Sequence, residues 1–183
     1  MIRKKTNFVL IVHYISLVLV FEGLFMFIAT GVALFYHEPE HEGLLTAAAI
    51  TSGFGILVNL ITRKWKNIEP GHRESLMIVF LSCLFLSLMG SLPYLLTKSI
   101  PHIPNAIFES VSGFTTTGSS ILTDIEVLPK GILFWRSLTH WIGGIGIIVM
   151  VIAIMPFMNI RGSMLFGSEA SVVVEESVTT KIR

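Results

Sequence analysis

Apolar residues fall into four long runs separated by short polar links. The first run, "FVLIVHYISLVLVFEGLFMFIATGVALFY", covers about Phe8 to Tyr36. A membrane-crossing helix needs about 20 apolar residues, so this run is long enough to cross with a tilt or an interfacial end. "MIRKK" before it resembles the basic start of a secretory signal. The apolar run is too long for one, and no small-residue cleavage site follows a short hydrophobic stretch; a retained helix is expected. The second run, about Leu44 to Ile61, contains "AAAITSGFG". Small residues let helix backbones approach closely in lipid, so a packed helix is predicted. The third covers about Leu76 to Leu96, with Pro93 expected to kink or end it. The fourth covers about Ile132 to Phe157, with Pro156 near its end. The pattern predicts an all-α membrane protein with four transmembrane helices.

Residues 97–131 break this pattern, being too polar to span and too apolar for a solvated loop. "IPHIPNAIFESVSGF" reads as a short helix opening at Pro104, a residue favoured in the first helical turn. Its expected length is about nine or ten residues, or about 14 Å, roughly half the hydrocarbon thickness. "TTTGSS" follows at once, then the polar return "LTDIEVLPKG". A half-length helix followed by a Gly/Thr-rich stretch is the pattern of a re-entrant loop. Non-helical backbone is tolerated at membrane depth only where protein buries it or where it lines a watery cavity.

Composition agrees with the spans. Of 183 residues 52% are hydrophobic and 14% charged, and the mean hydropathy is +0.76; a soluble domain carries about 25% charged residues. The lone Cys83 cannot form an internal disulfide and reads as a small hydrophobe. The distribution of Lys and Arg says more than the net charge of +1. Arg3, Lys4, Lys5, Arg63, Lys64, Lys66, Arg73, Arg161, Lys181 and Arg183 fall on one side of four alternating spans, against Lys98 and Lys130 on the other. By the positive-inside rule both termini are cytoplasmic, and the re-entrant loop dips in from outside. Topology accounts for the basic residues, so nucleic-acid binding has no support. No nucleophile–base pair, metal-ligand pair or phosphate-binding glycine loop appears in the spans, so an enzyme is not expected.

A cation leaving water must have its hydration shell replaced. Backbone carbonyls and threonine hydroxyls do this in potassium-channel filters, and glycine permits the backbone angles that aim successive carbonyls at one axis. "TTTGSS" has the chemistry of such a filter; the competing reading is an ordinary polar loop.

"FESVSGFTTTGSS" followed by "LPKGILFWRSLTHWIGGIGIIVMVIAIMP" resembles the first pore repeat of the TrkH/KtrB family of potassium transporters. The preceding spans resemble the helix pair that precedes the pore repeats in that family, and "GSMLFGSEAS" resembles the segment after the first repeat. The resemblance implies three parts: an N-terminal helix pair over residues 1–65, a helix–pore loop–helix repeat over 74–158, and a cytoplasmic tail or linker over 159–183. It implies that Thr115, Thr116, Thr117 and Gly118 form one quarter of a filter for transported K+, with Ser119 at the outer mouth and no covalently bound cofactor. It further implies a bacterial inner (plasma) membrane location, an oligomer, and a cytosolic nucleotide-binding regulatory subunit.

The family's pore has four such repeats in one chain, and only one Thr/Gly filter segment is found here. Three readings stay open: a fragment of a longer transporter, a piece of a split one completed by other chains, or a homotetramer. "VEESVTTKIR" falls about where the family's next repeat would begin, which favours the first two. A non-conducting membrane scaffold or remnant is the alternative function.

Other residues qualify the picture. Glu109, in the short helix, is expected to brace the loop, since intramembrane carboxylates are costly and usually paired. Arg136 and His140 share a helix face and are candidates to pair with Glu109 or Asp124; snorkelling of Arg136 to the headgroups competes. Glycines 143–146 ("GGIG") suggest close packing, or else a hinge beside the filter. Glu22 stands alone in the first span. His37, His41, Glu38, Glu40 and Glu42 read as a solvated acidic link, with weak metal binding the less favoured reading.

Overall fold

A computed structural model of the chain describes residues 7–65 and 70–154. The basic N-terminus, Lys66, Pro156 and the tail 159–183 lie outside the described residues. Among the described residues six α-helices follow one another: α1 (Phe8–Phe35), α2 (His41–Thr62), α3 (His72–Met89), α4 (Leu92–Leu96), α5 (Ile103–Phe114) and α6 (Lys130–Ile154). A short 3₁₀ turn, Arg63–Trp65, extends α2. There is no strand among the described residues. Among the described residues, four stretches are long and apolar enough to cross a membrane: Phe8–Phe35, His41–Thr62, Arg73–Leu96 and Lys130–Val151.

The link from α1 to α2 is short, so the two helices must lie antiparallel. Their contacts run in opposite registers, His13 with Thr62, Ser16 with Asn59, Gly55 with Val20, and Gly23 with Ser52. The small residues make this seam tight. A Cβ on Gly23 would lie 2.8 Å from Ser52 Cβ, and one on Gly55 would lie 2.9 Å from Val20 Cγ2. Some polar groups of the two helices find partners across the seam, whereas the buried Glu22 carboxylate of α1 and Thr51 Oγ1 of α2 have none among the described residues. Thr62 Oγ1 donates to the Val58 carbonyl at 2.8 Å and accepts from His13 Nδ1 at 2.9 Å.

Two apolar clusters hold the bundle. Ile11, Ile15 and Leu19 of α1 pack against α3 through Met77, Ile78 and Leu81. The larger cluster gathers Met26, Ala29 and Ala33 of α1 with Leu44, Ala47 and Ala48 of α2 around Tyr94, Phe114, Ile132 and Trp135. This second cluster carries the short helix α5. Large apolar side chains such as Phe8, Leu60, Ile61 and Phe80 face outward, as expected of surfaces that meet lipid or other protein within a bilayer.

The third span breaks earlier than the sequence suggests. The sequence places the kink at Pro93, but α3 ends at Met89 with Gly90 as its cap, and Pro93 sits in the first turn of α4. There its missing N–H leaves no extra unpaired group. Gly90 is required at the break because a Cβ would lie 2.5 Å from Phe114 Cε2 and 2.7 Å from Ser110 Oγ. Trp135 Nε1 donates to the Gly90 carbonyl at 3.0 Å, tying the break to α6. Cys83, read as a small buried hydrophobe, is exposed on α3.

Candidate functional site: a braced Thr/Gly loop

The short helix α5 has 12 residues, about 18 Å at 1.5 Å per residue, and so outruns the expected nine or ten. It has Pro104 in its first turn and continues through Gly113 and Phe114. Contact with α6 explains the extra residues at its end. Gly113 seats directly on Thr139, Gly143 on the Phe114 backbone, and the Phe114 ring meets Trp135 edge-on at 6.4 Å.

The helix then stops by a defined hydrogen-bond pattern. Thr116 N–H donates to the Gly113 carbonyl at 2.9 Å and Thr117 N–H to the Ser112 carbonyl at 3.0 Å. This is the Schellman arrangement, which places its cap residue in the left-handed region, a role usually taken by glycine. Here Thr116 takes it, with φ +56°. His37 and Lys98 adopt similar angles just past α1 and α4, but Thr116 alone among these is β-branched, for which the conformation is strained. Gly118 follows with φ +75°, so positive φ recurs at alternate residues.

The first three N–H groups of the loop and its middle carbonyls are used differently. The N–H groups of Thr115, Thr116 and Thr117 all turn back onto α5 carbonyls. Thr115 Oγ1 donates to the Val111 carbonyl at 2.8 Å and Thr116 Oγ1 to the Thr115 carbonyl at 2.7 Å. Among the described residues, the carbonyl oxygens of Thr116, Thr117 and Gly118 accept no hydrogen bond. Residues 115–119 are all exposed.

The return segment is fastened behind the loop. Ser112 Oγ donates to the Ser119 carbonyl at 2.6 Å. Glu109, whose side chain is fully buried, accepts from Arg136 Nε at 2.7 Å, from Ser120 Oγ at 3.0 and 3.1 Å, and from Ile121 N–H at 3.3 Å. Ser120 Oγ in turn accepts from Leu122 N–H at 3.1 Å. Arg136 is therefore paired inward with Glu109. Asp124 does not join the pair; its Oδ1 accepts from Glu126 N–H at 3.0 Å. His140 stays apart too, its Nδ1–H donating to the Arg136 carbonyl at 2.9 Å.

Three contributors escaped the sequence reading. Ser112 and Ser120 complete the fastening, and Ser112 had a visible signal, since it lies three residues from Glu109 on one face of a short helix. Glu38 is the third. Its carboxylate accepts from Lys130 N–H at 2.6 Å and Gly131 N–H at 2.9 Å, capping α6 from 92 residues away. Among the described residues no group of three or more His, Cys, Asp or Glu is placed to hold a metal ion. The glycines of "GGIG" divide: Gly143 is packed, whereas Gly144 and Gly146 have nothing within reach of a Cβ. An apolar groove of about 490 Å³ opens between α3 and α6, with Phe114 and Thr115 in its wall.

Four helices long and apolar enough to span, with a short helix and a braced loop packed against them, define a multi-pass helical membrane protein. The profile of the TrkH cation transport protein family matches residues 41–181. The Trk system potassium uptake protein TrkH of Halomonas elongata is 34% identical over 172 residues, 93% of this chain and 36% of that protein. The protein of that name from Escherichia coli K12 is 37% identical over 155 residues, 84% of this chain and 32% of that protein. The crystal structure of the potassium transporter TrkH from Vibrio parahaemolyticus superposes with a TM-score of 0.76 at 30% identity, covering 91% of this chain and 36% of that one. The chain belongs to the TrkH family of cation transport proteins. It spans about a third of the length of the curated relatives it matches.

Proposed function

We propose that the chain supplies one quarter of a potassium-selective filter in a transporter of the plasma membrane. The ion is held by the carbonyls of Thr115, Thr116, Thr117 and Gly118, with Ser119 at the outer mouth. The observation that carries this reading is the use of the loop's donors and acceptors. The N–H groups of Thr115, Thr116 and Thr117 are used on α5 carbonyls, and the three successive carbonyls of Thr116, Thr117 and Gly118 are left without a protein donor in an exposed stretch. Such a stretch offers a dehydrated cation the oxygen ligands it needs. The α5 C-terminus directs the negative end of its dipole at the same place. Relatives named for potassium uptake support the choice of ion.

One loop cannot enclose an ion, so three further loops must come from other repeats, whether in the same transporter or in other copies. On this reading the helix pair over 1–65 flanks the repeat over 74–158, and residues 159–183 lead toward the next. The charge bias supports a cytoplasmic position for both termini, where a nucleotide-binding regulatory subunit would dock. The loop enters from outside, and Glu109 with Arg136 supports it, His140 lining the same helix face.

The test is growth on limiting potassium in a bacterium deficient in potassium uptake. The 183 residues are expressed alone, and also in place of the matching third of the Escherichia coli relative. Growth in either case that is lost in Gly118→Asp supports the filter reading. Growth of the chimera that is indifferent to Gly118→Asp overturns it. No growth of the 183 residues alone, with a working chimera, shows that the chain needs further repeats from elsewhere rather than forming a homotetramer.

A further inference from the structure

Glu38 lies in the link between α1 and α2, outside the pore repeat, yet both of its carboxylate oxygens are spent on that repeat. They accept from the first two N–H groups of α6, Lys130 at 2.6 Å and Gly131 at 2.9 Å. The N–H groups of a first helical turn have no partner within the helix, and a carboxylate there is also favoured by the helix dipole. The seat beneath is close. A Cβ on Gly131 would lie 2.6 Å from Ala33 Cβ and 2.9 Å from Leu44 Cδ1, atoms of α1 and α2. Ile132 and Trp135, both fully buried, fix the rotation of the same turn.

Arg136 follows Gly131 by five residues, about 7.5 Å along a helix axis. It holds Glu109 at 2.7 Å, and Glu109 holds Ser120 and Ile121. A continuous line of bonded or packed groups therefore runs from the helix-pair link, through the first turns of α6, to the back of the Thr/Gly loop. We infer that Glu38 is a positioning residue: the N-terminal helix pair sets the height and rotation of α6 through it, and so fixes the Glu109–Arg136 brace behind the loop. The helix pair then acts as a template for the loop rather than as a membrane anchor beside it. The consequence for ion selectivity rests on the filter reading above; the mechanical coupling does not.

The experiment is amide hydrogen exchange on the 183-residue chain in lipid nanodiscs, comparing wild type with Glu38→Gln, Glu38→Asp and the neighbouring control Glu42→Gln. Three stretches are read: 130–133 at the cap, 119–122 at the loop's return, and 10–19 in α1 as reference. Glu38→Gln is expected to raise exchange about tenfold at 130–133, the factor that about 1.4 kcal/mol of lost capping represents. Exchange at 119–122 rises with it while 10–19 holds steady. Glu38→Asp, which keeps the charge but not the reach, falls between wild type and Glu38→Gln at both stretches, and Glu42→Gln changes neither. A rise at 130–133 with 119–122 unchanged overturns the coupling. So does an equal rise at 10–19 in both Glu38 variants, which marks general loosening. The growth test of Gly118→Asp fails or succeeds independently of this result.

Discussion

Removing Arg136 is the sharpest test of the brace. In Arg136→Ala the Glu109 carboxylate stays where it is, fully buried, with Ser120 Oγ and Ile121 N–H as its remaining partners. Two losses follow. The charged hydrogen bond at 2.7 Å is gone, an interaction of about 1.5–3 kcal/mol. The carboxylate is left without a counter-charge, and breaking a buried pair from one side costs about 3–5 kcal/mol in total. Arg136 is 16% exposed, so water screens part of this, and about 3 kcal/mol is the expected loss. The double variant Glu109→Gln with Arg136→Met removes both charges and keeps the volume. The amide oxygen it introduces still accepts from Ser120 and Ile121, so the double variant is expected to lose less than half of what Arg136→Ala loses. Reversible unfolding in mixed micelles, titrated with a denaturing detergent, measures both. If Arg136→Ala costs under about 1 kcal/mol, the pair is a surface contact worth no more than exposed pairs are, and the bracing argument falls. A double variant as damaged as the single one would show that the cost lies in lost packing rather than in a stranded charge.

Further outcomes can be read in the same titration. Thr116→Gly is expected to hold or raise stability by about 1 kcal/mol, because it relieves a β-branched residue at φ +56°; a clear loss would mean that the Thr116 side chain contributes more than its backbone costs. Gly118→Ala is expected to lose about 1–2 kcal/mol through its positive φ, since nothing lies within 4 Å of the added Cβ; an unchanged midpoint would show that the loop relaxes freely. Gly143→Ala drives a methyl into the Phe114 backbone and is expected to destabilise by about 1–3 kcal/mol. Gly146→Ala meets open space and is expected to be neutral or to gain up to about 1 kcal/mol from helix propensity. Equal effects at Gly143 and Gly146 would contradict the packing described for α6.

The four spans were legible because each is a local property: an apolar run of sufficient length has few alternatives in a bilayer. The short helix was legible for the opposite reason, being too short to cross and too apolar to leave. Its end was misjudged by one or two residues, because the last of them, through Phe114, pack on Thr139, Gly143 and Trp135 of α6. The break in the third span was misplaced for a similar reason. Pro93 is the louder local signal, but proline is harmless in a first turn, and the constraint at Gly90 is a ring from α5. Glu109 and Arg136 were named as candidates on charge and spacing. Ser120 as the third member, and His140 as a bystander bonded to its own helix, are facts of side-chain direction that spacing does not encode. Glu38 was hidden altogether among five His and Glu residues of a link that reads as solvated, because its partners are backbone groups 92 and 93 positions away.

The arrangement also explains why a filter-like loop uses threonine where a helix cap would ordinarily use glycine. A glycine at position 116 would satisfy the Schellman turn at lower cost, but it would bring no hydroxyl. Thr116 Oγ1 donates to the Thr115 carbonyl, and Thr115 Oγ1 bonds Thr117 Oγ1 at 2.8 Å while donating to Val111. The hydroxyls thus stiffen the strained turn from within. The N–H groups of the same residues are turned inward, and the next carbonyls along the chain are left free. Strain of about 1–3 kcal/mol per unusual residue persists only where surrounding structure over-determines it. Here that structure is identifiable: Ser112 on the Ser119 carbonyl, Glu109 on Ser120 and Ile121, and Arg136 behind Glu109. A loop held this way cannot easily rotate its free carbonyls toward protein donors. On the proposed filter reading, oxygen ligands that stay fixed are the condition for exchanging a cation's water shell without collapse of the site, and the brace behind the bare carbonyls would supply that fixity.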